Sequence, residues 1–393
     1  MTGLYIHIPF CKSRCLYCAF CSTTHLELRQ RYVDALCQEM VARGKRTEVS
    51  GERIKTIYLG GGTPSQLTVP QLRQIFQYIY KVYGNWWMVD GDGVEVTIEL
   101  NPDDVTAELA AVLRELGVNR VSMGAQTFSD DRLRFLHRRH TADQTARAAG
   151  ILREAGIRNV SIDLMYGFPE ETLSEWHNDI SHALALNVEH LSAYALQYEE
   201  GTPLYKLLTE GKLKETDEET ERRMYYDLID RLNDAGFEHY EISNFAKPGF
   251  RSRHNSGYWN QTPYIGLGAA AHSFDRRVRQ WNTSDITRYI EGIENGTPDT
   301  EHEVLDADTR YNDIVMTALR TKEGLNLDLL TTQQQAYCRA MAQRYIDSGL
   351  LKTEQHSADS PGTLSPNHQH TTLSLTREGL FVSDMIMSDL FIV

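Results

Sequence analysis

Over the first two-thirds of the chain, short apolar runs alternate with longer stretches in which apolar side chains recur every three or four positions. A run of four to eight buried-type residues reads as a strand, and the 3.6-residue recurrence reads as an amphipathic helix. Leu4–Ile8 precedes a helical pattern from Leu26 to Arg43, with Tyr32, Leu36, Met40 and Val41 on one face. Ile54–Leu59 precedes Val69–Val82, Val94–Leu100 precedes Val105–Leu116, and Arg120–Met123 precedes Asp130–Leu136. Val160–Met165 leads into Glu171–Leu186, and His190–Leu196 into Asp217–Ala235. Six such units predict parallel strands joined by right-handed crossovers, in a doubly wound sheet or a (β/α) barrel. In either architecture, ligands gather at the C-terminal ends of the strands.

The pattern changes after about residue 285. Tyr311–Leu319, Leu327–Leu330 and Ala336–Ser348 read as helical, a polar stretch follows, and a strand Thr372–Leu375 and a helix Gly379–Leu390 close the chain. The expected division is therefore an α/β domain over 1–285 and a smaller, mainly helical, winged-helix-like domain over 286–393, with a polar insertion at 355–371. Residues 301–393 hold 13 Asp/Glu against 7 Lys/Arg, a net of −6, which argues against DNA as their partner.

Composition narrows the class. The 393 residues carry a net charge of −14, and 41% are hydrophobic, enough for a sizeable core but poorly suited to nucleic acid. No run approaches the roughly 20 apolar residues that cross a bilayer, and the opening residues lack the pattern of a secretory signal. A cytoplasmic location is expected.

Four of six cysteines, Cys11, Cys15, Cys18 and Cys21, fall within one short segment after the first strand. A cytosolic chain of this length is not expected to use them as a disulfide framework, so they read as metal ligands. Cys11, Cys15 and Cys18 are spaced C-x3-C-x2-C. Three thiolates can hold three irons of a 4Fe–4S cube and leave the fourth iron open. The alternative is a four-cysteine zinc knuckle that also uses Cys21. Glycine-rich Leu59–Ser65 ends the second strand, where backbone can approach a ligand closely. Glu99 is the one acid in Thr97–Pro102, at the end of its strand, and Asp163 is the one acid in Val160–Met165; each is costly there unless partnered.

With an aromatic, Tyr17, before its third cysteine, this segment resembles the signature of the radical S-adenosylmethionine (SAM) superfamily. The resemblance implies a partial (β/α)6 barrel, a 4Fe–4S cluster on Cys11, Cys15 and Cys18, and SAM chelating the open iron. It further implies SAM contacts from Tyr5, Tyr17, Gly61, Gly62, Thr63, Glu99, Gln126, Arg138 and Asp163, with Arg139 competing for the place of Arg138.

The phrases Tyr5–Cys11, Gly60–Ser65, Asp163–Pro169 and Gly266–His272 are similar to those of the anaerobic coproporphyrinogen III oxidases (HemN) and their relatives, the heme chaperones (HemW). Three features lean toward the chaperones. Phe20 stands where the oxidases carry a further cysteine, only ten residues precede Cys11, and His254-Asn-Ser-Gly-Tyr-Trp259 matches a motif associated with heme. On this resemblance His254, Asn255, Tyr258 and Trp259 are heme-contact candidates. The alternative for them is a core turn in which His254 caps backbone and Trp259 simply packs. The implied function is binding of heme and its delivery to acceptors such as respiratory proteins, some of them membrane-associated. A homodimer, and an electron donor if SAM is cleaved, fit the same resemblance. Turnover of coproporphyrinogen, two propionates becoming vinyls, stays open at this point, as do the roles of Cys21, Gln197 and His272.

Overall fold

The computed structural model describes residues 2–50, 53–84, 93–356 and 370–393. Most of the insertion expected at 355–371 lies outside the described residues. Strands β1 (Thr2–Ile8), β2 (Ile54–Gly61), β3 (Glu95–Leu100), β4 (Arg120–Gln126), β5 (Asn159–Tyr166) and β6 (His190–Ala195) lie side by side in chain order. Every neighbouring pair is parallel. Crossover helices such as Val69–Tyr83 and Leu173–Ala185 join them. Strand β1 is buried at six of its seven positions, the near-continuous apolar run that a strand covered on both faces requires.

Six further strands extend this sheet antiparallel or at its edges. On one side lie β7 (Glu238–Glu241) and β8 (Asn244–Ala246), with β8 antiparallel to β6. On the other lie β9 (Tyr264–Leu267), parallel to β1, then β10 (His272–Phe274), β11 (Val278–Asn282) and β12 (Thr300–Val304). Among the described residues the result is a twelve-stranded sheet ordered β12-β11-β10-β9-β1-β2-β3-β4-β5-β6-β8-β7. Its long parallel centre places the loops that follow all six strands at one end.

A second, three-stranded sheet, β13 (Leu325–Asn326), β14 (Leu351–His356) and β15 (His370–Leu375), is ordered β13-β15-β14. Helices Ala307–Leu319, Thr332–Asp347 and Ser383–Asp389 cover it around a separate core of Tyr311, Val315, Leu327, Cys338, Leu373 and Ile386. Tyr289 and Ile290 belong to the first core, and the large sheet runs on to Val304. We therefore propose the division between the two units within 305–310, later than the 285/286 boundary expected from sequence. Among the described residues, no helix is long and apolar enough to cross a membrane.

Candidate functional site

The segment after β1 is a closed excursion. Phe10 bridges Thr23, Thr23 N–H donates to Pro9 O at 2.7 Å, and Cys11 N–H donates to Thr23 O at 2.9 Å. The glycine-rich end of β2 grips its base: Gly62 N–H donates to Ile8 O and Thr63 N–H to Phe10 O, both at 2.9 Å. A Cβ on Gly62 would stand 2.8 Å from the Pro9 carbonyl carbon, and Gly61, at φ +112°, has the His7 imidazole where a Cβ would go. These glycines are needed so that two backbone segments can meet. Their N–H groups are spent inside the protein, Gly61 N–H donating to Glu99 Oε2 at 3.0 Å. Midway round the loop, buried Leu16 anchors it in a satellite cluster with Leu136, Met165, Phe168, Leu196 and Leu204.

All six cysteines are free thiols. Cys11, Cys15 and Cys18 border a cavity of about 700 Å³ at the C-terminal ends of the strands; Cys21 does not. Cys11 Sγ lies 3.4 Å from Thr63 Oγ1, and Arg138 Nη1 donates to Cys15 Sγ at 3.5 Å. Cys21 Sγ instead donates to Ser284 O at 3.2 Å. Burial pushes the Cys11 and Cys18 thiols above the ordinary thiol range.

Seven of the nine residues expected around SAM line this same cavity: Tyr17, Gly62, Thr63, Glu99, Gln126, Arg138 and Asp163. Gly61 is turned into the strand contact just described. Tyr5 stands behind the wall, its hydroxyl 2.9 Å from His7 Nδ1. Glu99 accepts from Tyr58 Oη at 2.7 Å; burial, the largest influence, pushes its carboxyl up to about 7, against the opposing Tyr58 bond. Asp163 accepts from Ser122 Oγ at 3.1 and 3.2 Å, and burial raises it too. Asp163 stands three residues before the end of β5, which runs to Tyr166. Arg138 is immobilised by Asn101 Oδ1 at 2.8 Å and Gly124 O at 2.6 Å, whereas its rival Arg139 is held by Asp103 and Asp104. Gln126 sits at a register shift in β4 with φ +67°, a strained backbone of the kind that site geometry sustains.

The His254–Trp259 motif forms a short helix, Arg253–Trp259. His254 is buried, its Nδ1 2.8 Å from Thr56 Oγ1 and its Nε2 3.0 Å from Tyr258 Oη. Its ring stacks on Tyr58 at 5.1 Å, and burial lowers its pKa to about 3. With both nitrogens engaged, this imidazole offers no free lone pair to the cavity, which agrees with the core-turn alternative; Asn255 alone of the motif lines the cavity. His272 is exposed, stacks on Trp281 at 5.7 Å and lies away from the cavity. Gln197 lines it.

Sequence reasoning missed Asn101, Ser122, Tyr194, Arg320 and Phe381, all of which border the cavity. Ser122 was within reach, since it shares a strand face with Gly124 and Gln126 in β4. Arg320 and Phe381 come from the second unit, and no local pattern points to them.

Residues 5–183 match the radical SAM superfamily, which as a family carries a 4Fe–4S cluster and SAM. The heme chaperone HemW of Bacillus subtilis is 37% identical over 83% of this chain and 85% of its own length. The heme chaperone HemW of Synechocystis is 31% identical over 99% of this chain and 96% of its own. The coproporphyrinogen III oxidase HemN of Escherichia coli superposes with a TM-score of 0.80 over 99% of this chain and 90% of its own, at 20% identity. That last likeness establishes the shared α/β fold, a mixed sheet with a long parallel centre. The chain belongs to the radical SAM superfamily and, within it, to the family of the heme chaperones HemW.

Proposed function

We propose that this protein is a heme chaperone: it binds heme and passes it to a heme-accepting protein, with a 4Fe–4S cluster and SAM in the cavity. The observation that carries the reading is Phe20. Where the oxidases place a further cysteine, an aromatic ring 68% exposed stands at the cavity wall, in a chain matched along most of its length by proteins named as heme chaperones.

The donor set fits the cluster. Three free thiols border one cavity, and thiolates are the ligands such a cube takes. Cys11, Cys15 and Cys18 would hold it, leaving one iron to SAM. Bound there and reduced, such a cluster would supply the electron needed to split a sulfonium. The remaining roles belong to the protein. Arg138, fixed by Asn101 and Gly124, presents a fork suited to a carboxylate. Asp163 accepts from ribose hydroxyls, Glu99 and Gln126 offer further polar contacts, and Tyr17 closes the wall beside the cluster.

The test uses full-length protein reconstituted without oxygen. Added heme is expected to give a shifted Soret band and then move to an apo-acceptor. Coproporphyrinogen with SAM and a reductant is expected to yield no protoporphyrinogen. Appreciable product would make the chain an oxidase and end the chaperone reading.

A further inference from the structure

Four arginines border the cavity, Arg14, Arg138, Arg139 and Arg320, and they differ in burial and in what they already hold. Arg138, braced by Asn101 and Gly124 O, is the residue assigned above to the SAM carboxylate, Arg139 is held by Asp103 and Asp104, and Arg14 is exposed on the cysteine loop. Arg320, which caps the helix Ala307–Leu319, is less committed. Its nearest carboxylate is the exposed Asp384 at 3.7 Å, and its buried Nε has no partner among the described residues. A buried N–H left without an acceptor is costly, and a guanidinium fork matches a carboxylate. The guanidinium is held in place by the Trp259 ring, 5.2 Å from its centroid.

The same cavity exposes large rings. Phe20 is 68% and Tyr194 44% accessible, and Phe381, half-buried and packed against the first core, also lines the cavity. Exposed rings around a concave site, with a buried and under-partnered guanidinium among them, suit a flat, apolar ligand that carries acid groups.

We propose that Arg320 reads the carboxylate of a second ligand in the cavity, pairing with an acidic side arm of a planar macrocycle whose faces pack on Phe20, Tyr194 and Phe381. The inference rests on the heme reading above and adds to it a specificity: free propionates are required. It also gives the His254–Trp259 motif a role without ligation by His254, because Trp259 positions Arg320 and Asn255 lines the cavity.

The experiment titrates the full-length protein with heme and with heme dimethyl ester, read at the Soret band. The wild type is expected to bind heme about tenfold more tightly than the ester, the worth of a charge-assisted hydrogen bond. Arg320→Met should abolish that preference while keeping ester affinity within about twofold, and Arg320→Lys should retain part of it. Equal affinity of the wild type for acid and ester overturns the inference without any variant, and leaves the chaperone reading standing. A preference that survives in folded Arg320→Met also overturns it. A wild type that binds neither compound removes the heme reading and this inference together.

Discussion

The hydroxyl of Thr56 and Nδ1 of His254 lie 2.8 Å apart, joining the second strand of the parallel sheet to a helix nearly two hundred residues later in the chain. With Tyr258 on the other nitrogen and Tyr58 stacked on the ring, His254 is part of the protein's interior. His254→Ala would strand two hydroxyls in a dry environment and leave a void. The expected cost is about 2–4 kcal/mol, measured as a fall in the urea midpoint at constant m-value. The heme Soret band of the folded fraction is expected to persist. If stability held and the Soret band vanished, His254 would be a heme ligand after all.

The same burial sets a pH signature. Desolvation, aided by the nearby Arg120 charge, lowers the His254 pKa to about 3, against about 6.5 in an unfolded chain. Between those values the unfolded state binds a proton that the native state refuses, so native stability falls as the solution is acidified through that window. His254→Gln removes this proton. The stability difference between wild type and variant should therefore shrink by up to about 1.4 kcal/mol per pH unit on acidification from about 6.5. Urea midpoints of both proteins at several pH values decide it; a pH-independent difference would contradict the burial argument.

How much of this could be read beforehand follows from contrast along the chain. The six parallel strands were legible because each is a short apolar run between polar punctuation. Helix Ala142–Glu154 was not, since its buried face is Thr145, Ala148, Ala149 and Leu152, small residues that stand out little from their neighbours. Strands β10 to β12 span three to five residues, and Thr300–Val304 reads Thr-Glu-His-Glu-Val, with no apolar run to betray it. The site divides similarly. Cysteine spacing is local and announces itself. Whether His254 points inward is a tertiary fact, set by Thr56 and Tyr58. That Arg320 reaches the cavity depends on how the second unit packs.

Cysteine substitutions test the ligand assignment. Cys11→Ser, Cys15→Ser and Cys18→Ser should each deplete the reconstituted protein of iron and its visible absorption, since each removes one of three thiolates. Cys21→Ser should keep about four irons per chain, because Cys21 Sγ bonds Ser284 O and does not border the cavity. Iron and sulfide analysis after reconstitution without air reads the result. Loss of iron from Cys21→Ser comparable to that from Cys15→Ser would bring the four-thiolate alternative back.

Glu99 should show a pH dependence opposite in sign to that of His254. Burial pushes its carboxyl up to about 7, the Asp163 charge adding to the rise while the Tyr58 and Gly61 bonds and Arg120 oppose it. An unfolded glutamate titrates near 4.3. Between these values the native state keeps a proton that the unfolded chain has lost, so native stability declines as pH rises through the window. Glu99→Gln has no such proton to lose and keeps an oxygen for the Tyr58 hydroxyl. Relative to the wild type it should gain up to about 1.4 kcal/mol per pH unit from about pH 4.5 to 7, then level off. Its affinity for SAM should fall about tenfold, the usual penalty for losing a charged hydrogen-bond partner, read by equilibrium dialysis at pH 8, where wild-type Glu99 is ionised. A stability gain with unchanged SAM affinity would make Glu99 a structural acid that braces Tyr58 and Gly61 and would remove it from the SAM site.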